Sequence, residues 1–285
     1  HTPEDLVVYE PQSGVLFAGD LVFRGRIPFV GQADSRRWIE SLTRLLEFKP
    51  RVLVPGHGPV QVATPAAFEA TDEDHYLRKA ERIADLIINR KARETGFRVG
   101  EHFDDNWTLL KHYKGNEMFR PSGTTPGHWL EWARLLMQLW ILDGKRHAWM
   151  PETARGLFFQ SMALGWDKAK GGFFYTLDWA NVPEKTAKLW WPLCEGAGAA
   201  HFLNQHQESE FHEDSYRRIW NYIAGNSLDR EFGGWHEELT EDGRPSNTLF
   251  PGKGDIYHAL QACLIPLFPA EGSLTKVIRE YPHSV

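Results

Sequence analysis

Three ionisable side chains recur at matching places in the later part of this 285-residue chain. His128 follows Thr125-Pro126-Gly127, where the threonine suits an N-cap and the proline a first helical position. Glu195 stands three residues after Pro192, which can likewise open a helix. His258 stands three residues after Asp255, another N-cap type. The separations are 67 and 63 residues. Each group is therefore expected in the first turn of an alternate helix. Imidazoles titrate near neutral pH and suit general acid/base work. A helix N-terminus disfavours an imidazolium, which predicts a neutral, proton-accepting His128. Glu131 is three residues on from His128 and shares its face. A second set lies near the start. Asp20 follows Phe17-Ala18-Gly19 and His57 follows Val54-Pro55-Gly56, so both fall at strand ends. With His1 they form an imidazole and carboxylate set that suits zinc.

The elements that must carry these groups change character at about residue 70. Before it, Leu6-Val7-Val8-Tyr9, Val15-Leu16-Phe17-Ala18 and Arg51-Val52-Leu53-Val54 read as strands. Pro11-Gln12-Ser13-Gly14 is a turn, and a helix is expected from Asp34 or Ser35 to about Phe48. After it the pattern is helical. Apolar residues from Leu77 to Ile88 follow helical spacing within Tyr76 to Arg90. Further helices are expected at about 126–142, 151–165, 192–204, 212–226 and 255–267. Trp38 precedes the change, and the other eleven tryptophans start at Trp107. This divides the chain into residues 1–70 and 71–285.

An internal repeat supports the helical reading. Asp167-Lys168-Ala169-Lys170-Gly171-Gly172-Phe173 returns 62 residues later as Asp229-Arg230-Glu231-Phe232-Gly233-Gly234-Trp235. That offset fits two helices and one long loop. The glycine pair suits a tight turn, and the aromatic after it is expected to line a pocket or to pack in a hairpin turn. If the helices that carry His128, Glu195 and His258 form the inner ring of a toroid, the three groups point into one pocket.

Bulk properties narrow the classes. Net charge is −6 and the pI about 6.1, and no basic stripe is present, which excludes a nucleic-acid footprint. No stretch reaches the length of a membrane helix. Cys194 and Cys263 are far apart in apolar helical sequence, so buried thiols in a reducing cytoplasm are expected rather than a disulfide.

The early strings His1-Thr2-Pro3, Phe17-Ala18-Gly19-Asp20 and Val54-Pro55-Gly56-His57-Gly58 resemble the C-terminal half of metallo-β-lactamase fold hydrolases. That resemblance implies zinc ligation by His1, Asp20 and His57. The family's His-x-His-x-Asp-His cluster has no counterpart here, so a vestigial metal site is expected. The later strings are Gly127-His128-Trp129-Leu130-Glu131-Trp132-Ala133-Arg134-Leu135, Trp190-Trp191-Pro192-Leu193-Cys194-Glu195 and Gly254-Asp255-Ile256-Tyr257-His258-Ala259-Leu260-Gln261. They are similar to motifs of the N-acylglucosamine 2-epimerase superfamily, most of all its aldose–ketose isomerases. The resemblance implies a mainly α fold, here about half of a twelve-helix (α/α)₆ barrel, preceded by a small α/β fragment. It also implies a sugar substrate, no cofactor, and proton transfer through an enediol. On this match His128 and His258 are the acid/base pair. Glu131 and Glu195 hold sugar hydroxyls or orient the histidines, and Trp132, Trp190, Trp191 and Trp235 stack on the sugar.

Three readings remain open from sequence: a sugar isomerase or epimerase, a zinc hydrolase, and an inactive hybrid of two gene fragments. Both sites are expected to lack contributors that the families carry upstream. Whether half-barrels from two chains complete one another stays open.

Overall fold

The structure is a computed structural model that describes residues 7–12, 15–18, 21, 41, 44–45, 47–48, 52–54, 74–115, 121–255 and 257–281. The chain divides into two compact units, residues 1–62 and 63–285. In the first unit, β1 (Val8–Glu10), β2 (Val15–Phe17) and β3 (Val52–Val54) form one sheet in the order β1-β2-β3. β1 and β2 pair antiparallel across the Pro11 turn, and β2 and β3 pair parallel, which requires a crossover connection. Leu16, Ala18 and Leu45 make its small buried cluster. His1, Asp20 and His57 lie outside the described residues, as does most of the expected 34–48 helix.

The second unit is mainly helical. Its described α-helices are α1 (Asp74–Ala84), α2 (Pro126–Leu142), α3 (Trp149–Gln160), α4 (Trp190–His206), α5 (Glu210–Tyr222), α6 (Tyr257–Leu264) and α7 (Leu274–Glu280). α2, α4 and α6 pack side by side in sequence order, and α3 and α5 pack on their outer side, against α2 and α4. This is part of an (α/α)₆ barrel, about half of the toroid. Its single large core runs from Leu77 through Trp129, Leu136 and Phe158 to Leu203 and Ile223. The middle inner helix, α4, is buried on nearly every side, from Trp190 to Leu203. That is why its sequence is apolar all round rather than striped.

The repeat is structural as well as sequential. α3 ends in a π-helical turn, Ser161–Gly165, and α5 in another, Ile223–Ser227. Each leads into the same hairpin, closed by the Trp166–Phe173 and Leu228–Trp235 bridges. Gly171, Gly172, Gly233 and Gly234 all have φ between 74° and 77°, which a side chain would strain. Asp167 Oδ1 accepts from the amides of Ala169 and Lys170, and Asp229 Oδ1 from those of Glu231 and Phe232. Each aspartate also holds a lysine, Lys188 at 2.8 Å and Lys253 in a shorter contact. Lys188 and Lys253 each stand two residues before a site residue, Trp190 and Asp255. The repeated turn therefore anchors the approach to each inner helix.

Several expectations need correction. Phe173 is 1% exposed and belongs to the core, not to a pocket. Cys194 is buried, but Cys263 is exposed. The first helix gives way after Ala84 to a π-helical segment, Asp85–Ala92. α4 starts at Trp190, so Pro192 sits third in the helix, where its missing N–H costs no intrahelical bond. Glu195 consequently lies in the second turn, not the first. No described helix is long and apolar enough to cross a membrane.

Candidate active site

The start of α2 is fixed before His128 is placed. Thr124 exchanges backbone hydrogen bonds with Leu177, and its hydroxyl donates to the Val99 carbonyl. Trp129 Nε1 donates to that same hydroxyl at 2.9 Å. Gly127 is required by close approach, since a Cβ there would meet the Trp191 ring at 2.5 Å and Pro192 at 2.8 Å. The absent side chain lets α2 lie directly on α4 and brings Trp191 beside His128, with ring centroids 4.9 Å apart.

His128 Nδ1 donates to the Glu101 carboxylate, whose oxygens lie 2.9 and 3.0 Å away. This reverses the neutral imidazole expected from the helix terminus. Burial pushes the pKa down, but the charge and hydrogen bond of Glu101, aided by Glu131 and Glu195, outweigh it and raise the value to about 9. His128 is an imidazolium at neutral pH. A fixed full charge at hydrogen-bond distance exceeds the partial charge of a helix end.

His258 is built the same way. Its Nδ1 donates to Asp255 Oδ2 at 2.5 Å, which leaves Nε2 facing Glu195 Oε1 at 3.7 Å. Asp255 Oδ2 also accepts from Trp190 Nε1 at 2.8 Å, its Oδ1 accepts from the Tyr257 amide, and its own amide donates to Glu237. Burial lowers the His258 pKa, yet the Asp255 hydrogen bond and the Glu195 charge carry it above the ordinary value. Trp191 faces this ring too, at 6.2 Å. One indole therefore touches both imidazoles.

Beneath them, Glu195 is fully buried and held by Arg134, with Nε to Oε2 at 2.6 Å and Nη2 to Oε1 at 3.1 Å. Arg134 Nη1 donates to Gln138 Oε1. Gly198 leaves room for the Arg134 stem, which a Cβ would meet at 2.9 Å. Glu131 is raised in pKa by burial and by Glu195, and its charge acts on both histidines. So His128, Glu131, Glu195, His258, Trp190 and Trp191 are brought together. Among the described residues Trp132 and Trp235 are half-buried and pack on the core clusters, with no ring contact to either histidine. Glu195 is closed off from solvent, so it faces His258 rather than open space.

Sequence reasoning assigned no role to Glu101 or Arg134 and gave Asp255 only a capping one. A buried arginine on an apolar helix, three residues after Glu131, was a usable signal. Glu101, on a loop, offered none.

The N-acylglucosamine 2-epimerase family matches residues 60–262, and the metallo-β-lactamase superfamily matches residues 1–57. A D-mannose isomerase from Pseudomonas cannabina pv. alisalensis is 38% identical over 223 residues, 75% of this chain and 53% of that protein. One from Thermobifida fusca is 35% identical over 73% of this chain and 53% of its own length. A crystal structure of a D-mannose isomerase superposes with TM-score 0.64 at 29% identity, covering 70% of this chain and 52% of the other. The chain spans about half the length of the curated relatives it matches.

Proposed function

The chain belongs to the N-acylglucosamine 2-epimerase family, and from that membership and its paired histidines we propose that it interconverts an aldose and a ketose, with D-mannose and D-fructose as the first pair to test. The observation that carries this is the pair of imidazoles, each fixed at Nδ1 by a carboxylate and both set against Trp191.

Enediol chemistry needs one group to take the proton from C2 and another to protonate the carbonyl oxygen. His128, held at Nδ1 by the Glu101 carboxylate and raised in pKa to about 9, donates the proton to that oxygen. His258, held at Nδ1 by Asp255, takes the C2 proton through Nε2. Protonation of C1 by His258, after exchange of its proton with solvent, with the O2 proton passing to the now neutral His128, completes isomerisation. Protonation of C2 on its opposite face, by a second acid such as His128, would give the epimer. Asp255 and Glu195 stabilise the imidazolium that His258 becomes, which is the charge the transition state develops. Trp191 offers an apolar face to the sugar between them.

The test is conversion of D-mannose to D-fructose by the whole chain, alongside His258→Ala and His128→Ala. Turnover that either substitution removes supports the reading; none above buffer overturns it. The match over residues 1–57 favours a second reading for the first unit, a metallo-β-lactamase-like fragment whose His1, Asp20 and His57 are of the types that bind zinc.

A further inference from the structure

The far end of α2 carries a second group of side chains with ligand chemistry. Asp143 caps its C-terminus, about 22 Å along the helix from His128. The chain then turns through Gly144 and Lys145, both at positive φ, and brings His147 back onto that helix end. Glu81 reaches the same place from near the end of α1. One ligand atom each of Glu81, Asp143 and His147 lies within 4.8 Å of the other two. The Asp143 side chain is fully buried, and its two oxygens have different surroundings. Oδ1 is taken by Arg146, with Arg78 at 3.7 Å. Oδ2 is buried, accepts no hydrogen bond among the described residues, and faces His147 Nε2 at 3.5 Å. A buried carboxylate oxygen without a donor is costly, so this atom calls for a partner.

We propose that these three residues bind a zinc ion, through a Glu81 carboxylate oxygen, Asp143 Oδ2 and His147 Nε2, with water completing the shell. The donor set selects the ion. One imidazole and two carboxylates suit borderline zinc, whereas calcium asks for six to eight oxygens. Around a tetrahedral zinc with bonds of about 2.1 Å, ligand atoms stand about 3.4 Å apart. The contact between Asp143 and His147 already has that spacing, and rotation of the Glu81 carboxylate closes the rest. Arg78 and Arg146 leave the site open. Both are about half exposed, and each carboxylate has about four lone-pair sites. The guanidiniums can stay on Asp143 Oδ1 and on the outer lone pairs of Glu81. Their charge offsets that of the carboxylates, which makes the ion exchangeable rather than permanently held. Once bound, it ties α1 to the turn that joins α2 and α3.

The test is calorimetric titration of the chelator-treated whole chain with zinc chloride. His147→Ala is the disrupting variant; the side chain is 42% exposed, so its removal spares the core. His57→Ala is the control for the zinc-binding residue types of the first unit. Expected is one equivalent bound with Kd below about 100 µM, kept by His57→Ala and weakened at least about 10-fold by His147→Ala. At 100 times Kd, zinc should raise Tm by about 5–10 °C in the wild type and the control, and not in His147→Ala. Should His147→Ala misfold, nitrogen NMR of the wild type decides. The His147 Nε2 signal should move as zinc is added and return with chelator. A weaker Kd would make the cluster an ion-pair network only. That result, a smaller loss in His147→Ala, binding that disappears in His57→Ala, or an unmoved His147 signal would overturn the proposal. Binding and Tm are read without any sugar, so failure here leaves the proposed activity untouched.

Discussion

Replacing Arg134 by methionine should be among the most damaging single changes to the second unit. The guanidinium is 2% exposed and its partner Glu195 0%, joined by two hydrogen bonds of 2.6 and 3.1 Å. Methionine fills most of the stem volume that Gly198 accommodates, so cavity formation contributes little. What remains is a carboxylate in a dry site with only the long contacts of Gln261 Nε2 at 3.5 Å and His258 Nε2 at 3.7 Å, and Gln138 Oε1 is also stripped of its donor. Breaking one side of a buried pair costs about 3–5 kcal/mol. For a unit of this size that corresponds to a fall of about 6–20 °C in Tm. The double variant Arg134→Met/Glu195→Met removes both charges, and should recover more than half of the loss, since no buried charge is then left without its partner. Urea unfolding followed by far-UV dichroism measures all three proteins. A cost below about 1 kcal/mol for Arg134→Met, or a double variant at least as unstable as the sum of the two singles, would refute the reasoning.

Other consequences follow from the same geometry. The His128 pKa is raised from 6.5 to about 9, so its contribution to stability is fully present below pH 6.5 and is lost as pH rises through 9. The side chain is 39% exposed, and solvent screening leaves roughly 1 kcal/mol of that contribution. Glu101→Gln should flatten this slope and move the imidazole titration, followed by NMR, back toward 6.5; an unmoved titration would remove Glu101 as the cause. Gly127→Ala forces a methyl to within 2.5 Å of the Trp191 ring. It should destabilise by about 1–3 kcal/mol and shift tryptophan fluorescence, with unchanged fluorescence counting against the placement of Trp191. Metal analysis of protein purified without chelator should give well under two zinc equivalents, because His1, Asp20 and His57 are three recognisable ligands where a dinuclear site needs more. Two stoichiometric zincs held by these residues would contradict that.

The fold was legible where its physics is local. Pro126 marked the first residue of α2, because proline geometry acts within one turn, whereas Thr125 stands at the N-cap without its hydroxyl capping an amide. The Asp-to-Gly-Gly repeat announced two equal hairpins, because only glycine accepts φ near 75° twice in succession. Trp190 and Trp191 were read as residues before a helix, since proline favours helix starts. In fact α4 begins with them, drawn in by the bond from the Trp190 amide to the Glu237 carbonyl. That bond joins residues far apart in sequence, and spacing carries no trace of it. The charge state of His128 was hidden for the same reason. The helix-end field can be read from sequence, whereas Glu101 sits 27 residues upstream on a loop and dominates it. Tryptophans were the least legible. Trp191 lies beside both histidines, while Trp132 and Trp235 are half-buried against the core clusters, and composition alone does not separate them.

The central claim is that His258 moves the C2 proton of an aldose while His128 serves the carbonyl oxygen. Incubating the whole chain with D-mannose in deuterium oxide, and following C2 by proton NMR, tests it most directly. Deuterium should enter at C2 in the wild-type reaction, at a rate that falls to the buffer background in His258→Ala. Unchanged deuterium incorporation in that variant, or none above background in the wild type, would contradict the account.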